Sequence, residues 1–246
     1  MTELEQTSTS AGTAGQVEGK RRRWYRRYSS VEFLVVLVLV LVSYPLAEHY
    51  NVGELTEAFQ LTLVLLGGLW AVGGRRRTLM WGILMVTPAL LGKWVDHWQP
   101  GSVPGWAFML PAVLFVVFVI AHFLLFIMRT HHVNMEVLCA GISGYLLLGL
   151  LWTFGYILAA QLSPDAFLFT AGSEQGQQLK GFTALYYSFT TLTTLGYGDI
   201  VPVSPLARML AMMETTVGIF YTTILIARLV TLYSASPQST GPDEKK

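Results

Sequence analysis

The stretch Tyr186-Tyr187-Ser188-Phe189-Thr190-Thr191-Leu192-Thr193-Thr194-Leu195-Gly196-Tyr197-Gly198-Asp199 decides how this 246-residue chain is read. It completes a moderately apolar run, Gly181 to Thr193, that falls short of the roughly 20 helical residues a bilayer core requires. Glycines follow at once. Such a segment can sit at membrane depth only as a re-entrant loop, buried in protein or lining water, because lipid leaves open backbone groups unsatisfied. The run predicts a short helix from about Phe182 to Thr193. Its C-terminal end carries partial negative charge and would favour a cation near the membrane centre. Beyond it, Gly196 and Gly198 allow left-handed backbone angles at almost no steric cost. Alternating such angles would turn the carbonyls of Thr194, Leu195, Gly196 and Tyr197 to one side. Four chains around an axis would stack these oxygens as rings, with the Thr194 hydroxyl as an inner ring.

The surrounding composition supplies the membrane. The chain is 53% hydrophobic and 13% charged, whereas a soluble domain is about a quarter charged. The apolar residues come in long runs, which excludes a secreted, disordered or nucleic-acid-binding protein. The one cysteine, Cys139, allows neither an intrachain disulfide framework nor a cysteine metal cluster. Runs lie at about 31–47, 58–74, 78–95, 105–128, 136–161 and 206–232. Some thirty residues precede the first, and Tyr44-Pro45-Leu46-Ala47 is a poor cleavage site, so it reads as a retained span. The second and third are short and interrupted by Gly67-Gly68 and Pro88, so their ends are soft.

Loop charge gives an independent test. Arg75, Arg76 and Arg77 separate the second and third runs, and Arg129 follows the fourth. Cytoplasmic loops carry the Lys/Arg excess. The basic block Lys20 to Arg27, with Trp24 and Tyr25, reads as a juxtamembrane cytoplasmic anchor. Six spans with both termini cytoplasmic put every cluster inside, and five do not. On that topology the cytoplasmic side holds thirteen Lys/Arg against seven acids, the external side three against seven, and Glu214 lies in the membrane. The net charge of +1 therefore conceals a polarised molecule.

At this point the loop resembles the signature of the potassium-channel family, Thr-Val-Gly-Tyr-Gly-Asp, with Leu195 standing for Val. In that family rings of backbone carbonyls replace the ion's water shell. The resemblance covers roughly residues 136–232. It implies K+ at Thr194, Leu195, Gly196 and Tyr197, in a filter running from Thr194 to Gly198. Asp199 matches the outer-mouth acid, and Pro202 and Pro205 the turn into the inner helix. Tyr186 and Tyr187 fall where the family braces its filter tyrosine, and Thr193 joins them as filter support. Gly218 takes the place of the inner-helix hinge, and Phe220 to Leu229 would approach the inner gate. Since the oxygen at Leu195 is backbone, selectivity is expected to survive; packing behind the filter is what that residue alters.

The fold expected is an all-α membrane protein: six transmembrane helices plus a re-entrant pore helix and filter loop, assembled as a homotetramer. A basic N-terminus would occupy 1–30, a peripheral four-helix unit 31–128, a cytoplasmic linker 129–135, the pore domain 136–232 and a short tail 233–246. The resemblance is to prokaryotic six-span, one-loop channels, which implies a bacterial inner membrane, lipid neighbours, no nucleic acid and no cofactor beyond K+ as the permeant ion. No nucleophile–base pair or metal-ligand spacing appears, so no enzyme is expected. After Val230 sixteen residues remain, so no cytosolic ligand-binding domain is expected either. The alternatives are a weakly selective cation channel, a subunit of a potassium uptake system, and a non-conducting sensor that kept the pore fold.

A voltage sensor needs several charges, because one charge crossing the field yields only about 2.3 kcal/mol per 100 mV. Residues 105–128 contain no Lys or Arg, so steep voltage gating by the fourth span is not expected. Glu214 is ionisable at membrane depth and reads as a buried acid bonded to the pore helix, with filter tuning as the alternative. Arg208 reads as a surface charge for Asp199 or a lipid headgroup. His131-His132 reads as a solvated loop, with a pH switch as the alternative.

Overall fold

The computed structural model describes residues 29–49, 53–73, 76–99, 101–102, 104–130, 134–170 and 179–234. The basic block at Lys20 to Arg27 and the His131-His132 pair lie outside them. The apolar runs are helices, the one conformation in which a single segment satisfies its own backbone inside lipid. They are α1 (Ser29–His49), α2 (Gly53–Val72), α3 (Arg76–Trp98), α4 (Gly105–Arg129), α5 (Met135–Leu162) and α7 (Pro205–Ser234). A short α6 (Gly181–Leu192) lies between the last two. Among the described residues α2, α3, α4, α5 and α7 are long and apolar enough to cross a membrane, and Ser30–Leu46 of α1 forms a shorter apolar helix.

Helix α2 begins ahead of its apolar run and takes in Glu54 and Glu57, and α3 continues past its run to Arg76 at one end and Asp96 at the other. The interruption expected at Pro88 does not occur: Pro45, Pro88 and Pro111 all lie inside helices. Neighbouring helices tolerate such prolines in membrane segments. Gly67 and Gly68 bring α2 against its neighbours. A Cβ on Gly67 would meet Phe33 at 3.0 Å, and one on Gly68 would meet Phe115 at 3.1 Å.

Helix α5 is central and packs against α1, α4, α6 and α7. The main core lies among α1 to α5, with Phe33, Leu65, Phe115 and Leu147 buried. A second cluster gathers Tyr156, Phe167, Tyr187 and Ile200 around the outer part of α6. It includes two short strands unforeseen in the sequence, β1 (Phe167–Phe169) and β2 (Ile200–Pro202), paired antiparallel with Leu168 opposite Val201. This ribbon clips the segment before α6 to the segment after it. Helix α7 buries only Ala207, Glu214, Gly218, Tyr221 and Leu232, a single stripe along one side.

Candidate functional site

Helix α6 ends where its sequence turns from apolar to threonine-rich. Thr193 closes it, with both its N–H (3.1 Å) and its hydroxyl (2.6 Å) donating to Phe189 O. The next three residues turn their N–H groups back to the helix end. Thr194 N donates to Thr191 O at 3.0 Å, and Leu195 N and Gly196 N both donate to Thr190 O, at 2.8 and 3.2 Å. Orphan carbonyls at a helix C-terminus are thereby satisfied.

Backbone angles then alternate. Thr194, Gly196 and Gly198 have positive φ, at 61°, 51° and 79°, and Leu195 and Tyr197 between them do not. Successive residues of opposite hand turn their carbonyls the same way. Among the described residues the carbonyls of Thr194, Leu195, Gly196 and Tyr197 accept no hydrogen bond. The loop thus spends its donors on the protein and leaves a row of acceptors open. The sequence located the glycines but not Thr194, a β-branched residue whose left-handed backbone costs about 1–3 kcal/mol. Nothing in threonine's own preferences signals that conformation.

The outer end is pinned by side chains. The Tyr186 hydroxyl donates to Asp199 Oδ2 at 2.7 Å, and Ile200 N donates to Oδ1 at 3.1 Å. The Tyr186 ring stacks on that of Tyr197, with centroids 6.3 Å apart and planes 3° from parallel. Tyr187 points elsewhere, edge-on to Tyr156 and Phe167 with centroids 4.7 and 5.3 Å away. Thr170, which sequence reasoning missed, donates its hydroxyl to Gly198 O at 2.6 Å and its N–H to Asp199 O at 2.8 Å. Arg208 does not meet Asp199; its Nε donates to Pro202 O at 3.1 Å.

Behind α6 lies a buried polar junction. Glu214 on α7 is fully buried, with Ser188 Oγ 2.6 Å from its Oε1 and the Tyr156 hydroxyl donating to its Oε2. Ser188 Oγ also lies 2.7 Å from Gly149 O on α5. Three helices therefore converge on one carboxyl group. Ser188 and Tyr156 were not singled out from sequence, although a tyrosine inside an apolar helix signals that a buried partner exists for its hydroxyl. Farther along, Thr215 and Tyr145 direct their hydroxyls at Thr191 O and Leu192 O, each at 3.4 Å. Helix α7 runs unbroken through Gly218, where a Cβ would stand 2.8 Å from Leu192 Cδ1 and 3.0 Å from Leu192 O. That glycine lets α7 touch the end of α6.

Leu195 and Tyr197 are 59% and 67% exposed in the single chain. The open carbonyls thus belong to a loop that its own chain supports on one side only.

Residues 133–235 match the family described as "Ion channel". A calcium-gated potassium channel of Thermoplasma volcanium, TvoK, is 53% identical to this chain over 38 residues, which are 15% of this chain. The match spans 11% of that relative's length. Together with the apolar helices, these likenesses make the chain a multi-pass membrane protein. Residues 133–235 are thus similar to the ion-channel family, and the short stretch shared with a potassium channel points the same way.

Proposed function

We propose that this chain is one of four identical subunits of a passive, potassium-selective channel. The observation that carries the reading is the alternation of positive φ at Thr194, Gly196 and Gly198, with four consecutive carbonyls left without a donor. Such oxygens can replace the water shell of a dehydrated cation. One loop supplies a quarter of the cage, so four copies around an axis are needed. The exposed side of α7, with Met212 and Phe220, gives each copy an apolar face for its neighbours and the pore. Asp199, held by Tyr186 and Ile200, forms an acidic ring at the outer mouth, where it raises local cation concentration.

In this reading α1 to α5 and α7 are six spans, both termini are cytoplasmic, and the channel sits in the cell membrane of a bacterium. The potassium ion is the permeant species and binds at Thr194, Leu195, Gly196 and Tyr197. Thr193, Tyr187 and Glu214 act from behind as filter support, and α7 lines the cavity and bends near Gly218 on opening.

Single-channel recording of the purified protein in planar bilayers tests this reading. Unitary potassium currents are expected without ATP or a proton gradient. Gly196→Ala, which places a side chain at a φ of 51°, is expected to abolish the currents while the tetramer still assembles. Currents unaffected by that substitution would sink the proposal.

A further inference from the structure

A cavity of about 310 Å³ lies among α2, α3, α4 and α5 and reaches the start of α6 at Lys180 and Gly181. That volume is at the lower end of those that hold small ligands. Its lining is sorted by depth. Glu57, Lys93, Asp96 and Lys180 stand near helix ends on the side where α6 begins. From there the walls run inward along α4 from Gly105 to Val116 and along α5 from Gln161 to Leu150. Eleven residues of helix span roughly 16 Å at 1.5 Å per residue. The walls become mostly apolar along the way, through Phe108, Met109, Ile157 and Leu150, interrupted by Tyr44, Gln60 and Thr153. The space is a slot with a charged mouth and a greasy shaft.

The mouth is balanced, two carboxylates and two ammonium groups. Lys93 and Glu57 partly satisfy each other at 3.6 Å, and the Lys93 ammonium also lies 5.6 Å from the centre of the Phe108 ring. Asp96 Oδ1 accepts the Gly101 N–H at 3.2 Å, leaving Oδ2. Lys180 makes no ion pair among the described residues. One cation and one carboxylate oxygen therefore remain for a ligand carrying both signs.

We infer that this slot binds one phospholipid of phosphoethanolamine type, with a single acyl chain in the shaft, its phosphate on Lys180 and its ammonium on Asp96. A headgroup with no ammonium would leave Asp96 Oδ2 without a cationic partner, and a trimethylated ammonium has no N–H to donate to Asp96. The lipid would come from the leaflet on the filter-mouth side, since the charged mouth lies where α6 starts. Lys180 is the residue before α6, so the bound head touches the origin of the pore helix. The site gives the peripheral helices a role that needs no charge in α4. It rests on the membrane-embedded reading above but not on potassium selectivity.

Native mass spectrometry of the purified full chain tests it, titrating phosphatidylethanolamine, phosphatidylcholine and phosphatidylglycerol of identical chains. Phosphatidylethanolamine is expected to saturate at one molecule per subunit, at a concentration about tenfold below the other two. Lys180→Gln, on an exposed side chain, and Asp96→Asn should each raise that concentration about tenfold. Met109→Trp, which fills the shaft, should remove the saturable adduct. Equal titration by all three lipids, or an adduct that survives both Lys180→Gln and Met109→Trp, would overturn the inference. Because binding is read without current, a protein that binds the lipid but conducts no potassium would defeat the proposed function and leave this site intact.

Discussion

Ser188 on α6 and Glu214 on α7 meet across 2.6 Å in a site closed to solvent. The Tyr156 hydroxyl on α5 donates to the other oxygen of the same carboxyl group. If, in the proposed channel, α7 moves during gating, this carboxyl group links that movement to α6.

Glu214→Ala should therefore destabilise the assembled protein. Ser188 retains Gly149 O as an alternative acceptor, so the loss falls mainly on the Tyr156 hydroxyl, about 1–3 kcal/mol for a buried group left unpaired. Glu214→Gln keeps an acceptor and nearly the same shape, and should lie between alanine and native. Thermal unfolding of the detergent-purified protein ranks the three. An alanine variant as stable as native would remove Glu214 as a structural tie.

Gly218→Ala puts a methyl group against a backbone carbonyl, which yields less readily than a side chain. The cost expected for such overpacking is about 1–3 kcal/mol. Gly155→Ala is the control, because nothing lies within 4 Å of the added Cβ and alanine favours a helix. The first variant should lower the unfolding temperature and the second should leave it level or raise it. Equal effects would show that the contact of α7 with Leu192 does not govern stability.

Arg228, near the C-terminal end of α7, donates through Nη2 to Met128 O at 2.9 Å and Thr130 O at 2.8 Å. These carbonyls end α4, where a cation is favoured by the helix dipole. In the proposed tetramer the bond would tie this end of α7 outward to the periphery. Arg228→Gln should lower open probability about tenfold, the equivalent of 1.4 kcal/mol, and leave ion selectivity unchanged. Open probability that stays level or rises would contradict this tie.

Helix α4 carries no Lys or Arg before Arg129 at its last position. Open probability measured between −100 and +100 mV (roughly the range over which one gating charge contributes a few kcal/mol) should vary shallowly. A steep relation with several charges per subunit would place a sensor elsewhere.

The helical, multi-span character was legible because unbroken apolar runs leave the backbone one solution in lipid. Helix ends were less legible where charged residues such as Arg76 and Asp96 continue a helix past its apolar stretch. At the site, Gly196 and Gly198 announced the alternation of hand, and Tyr186 stands against Tyr197. Thr194 could not be foreseen, since its conformation is imposed by N–H bonds to Thr190 and Thr191 rather than favoured by its side chain. Thr170, Ser188 and Tyr156 were missed because their partners lie 26 to 58 residues away in the chain. A spacing pattern does not encode such pairs. Tyr187, grouped with Tyr186 by adjacency, faces the other side of α6 because neighbours on a helix diverge by about 100°.

The most direct measurement is the reversal potential of the purified, reconstituted protein with potassium on one side and sodium on the other. A filter built from the carbonyls of Thr194 to Tyr197 predicts a value displaced strongly toward the potassium equilibrium potential, with no energy source supplied. A reversal potential near zero would contradict the selective filter on which the account depends.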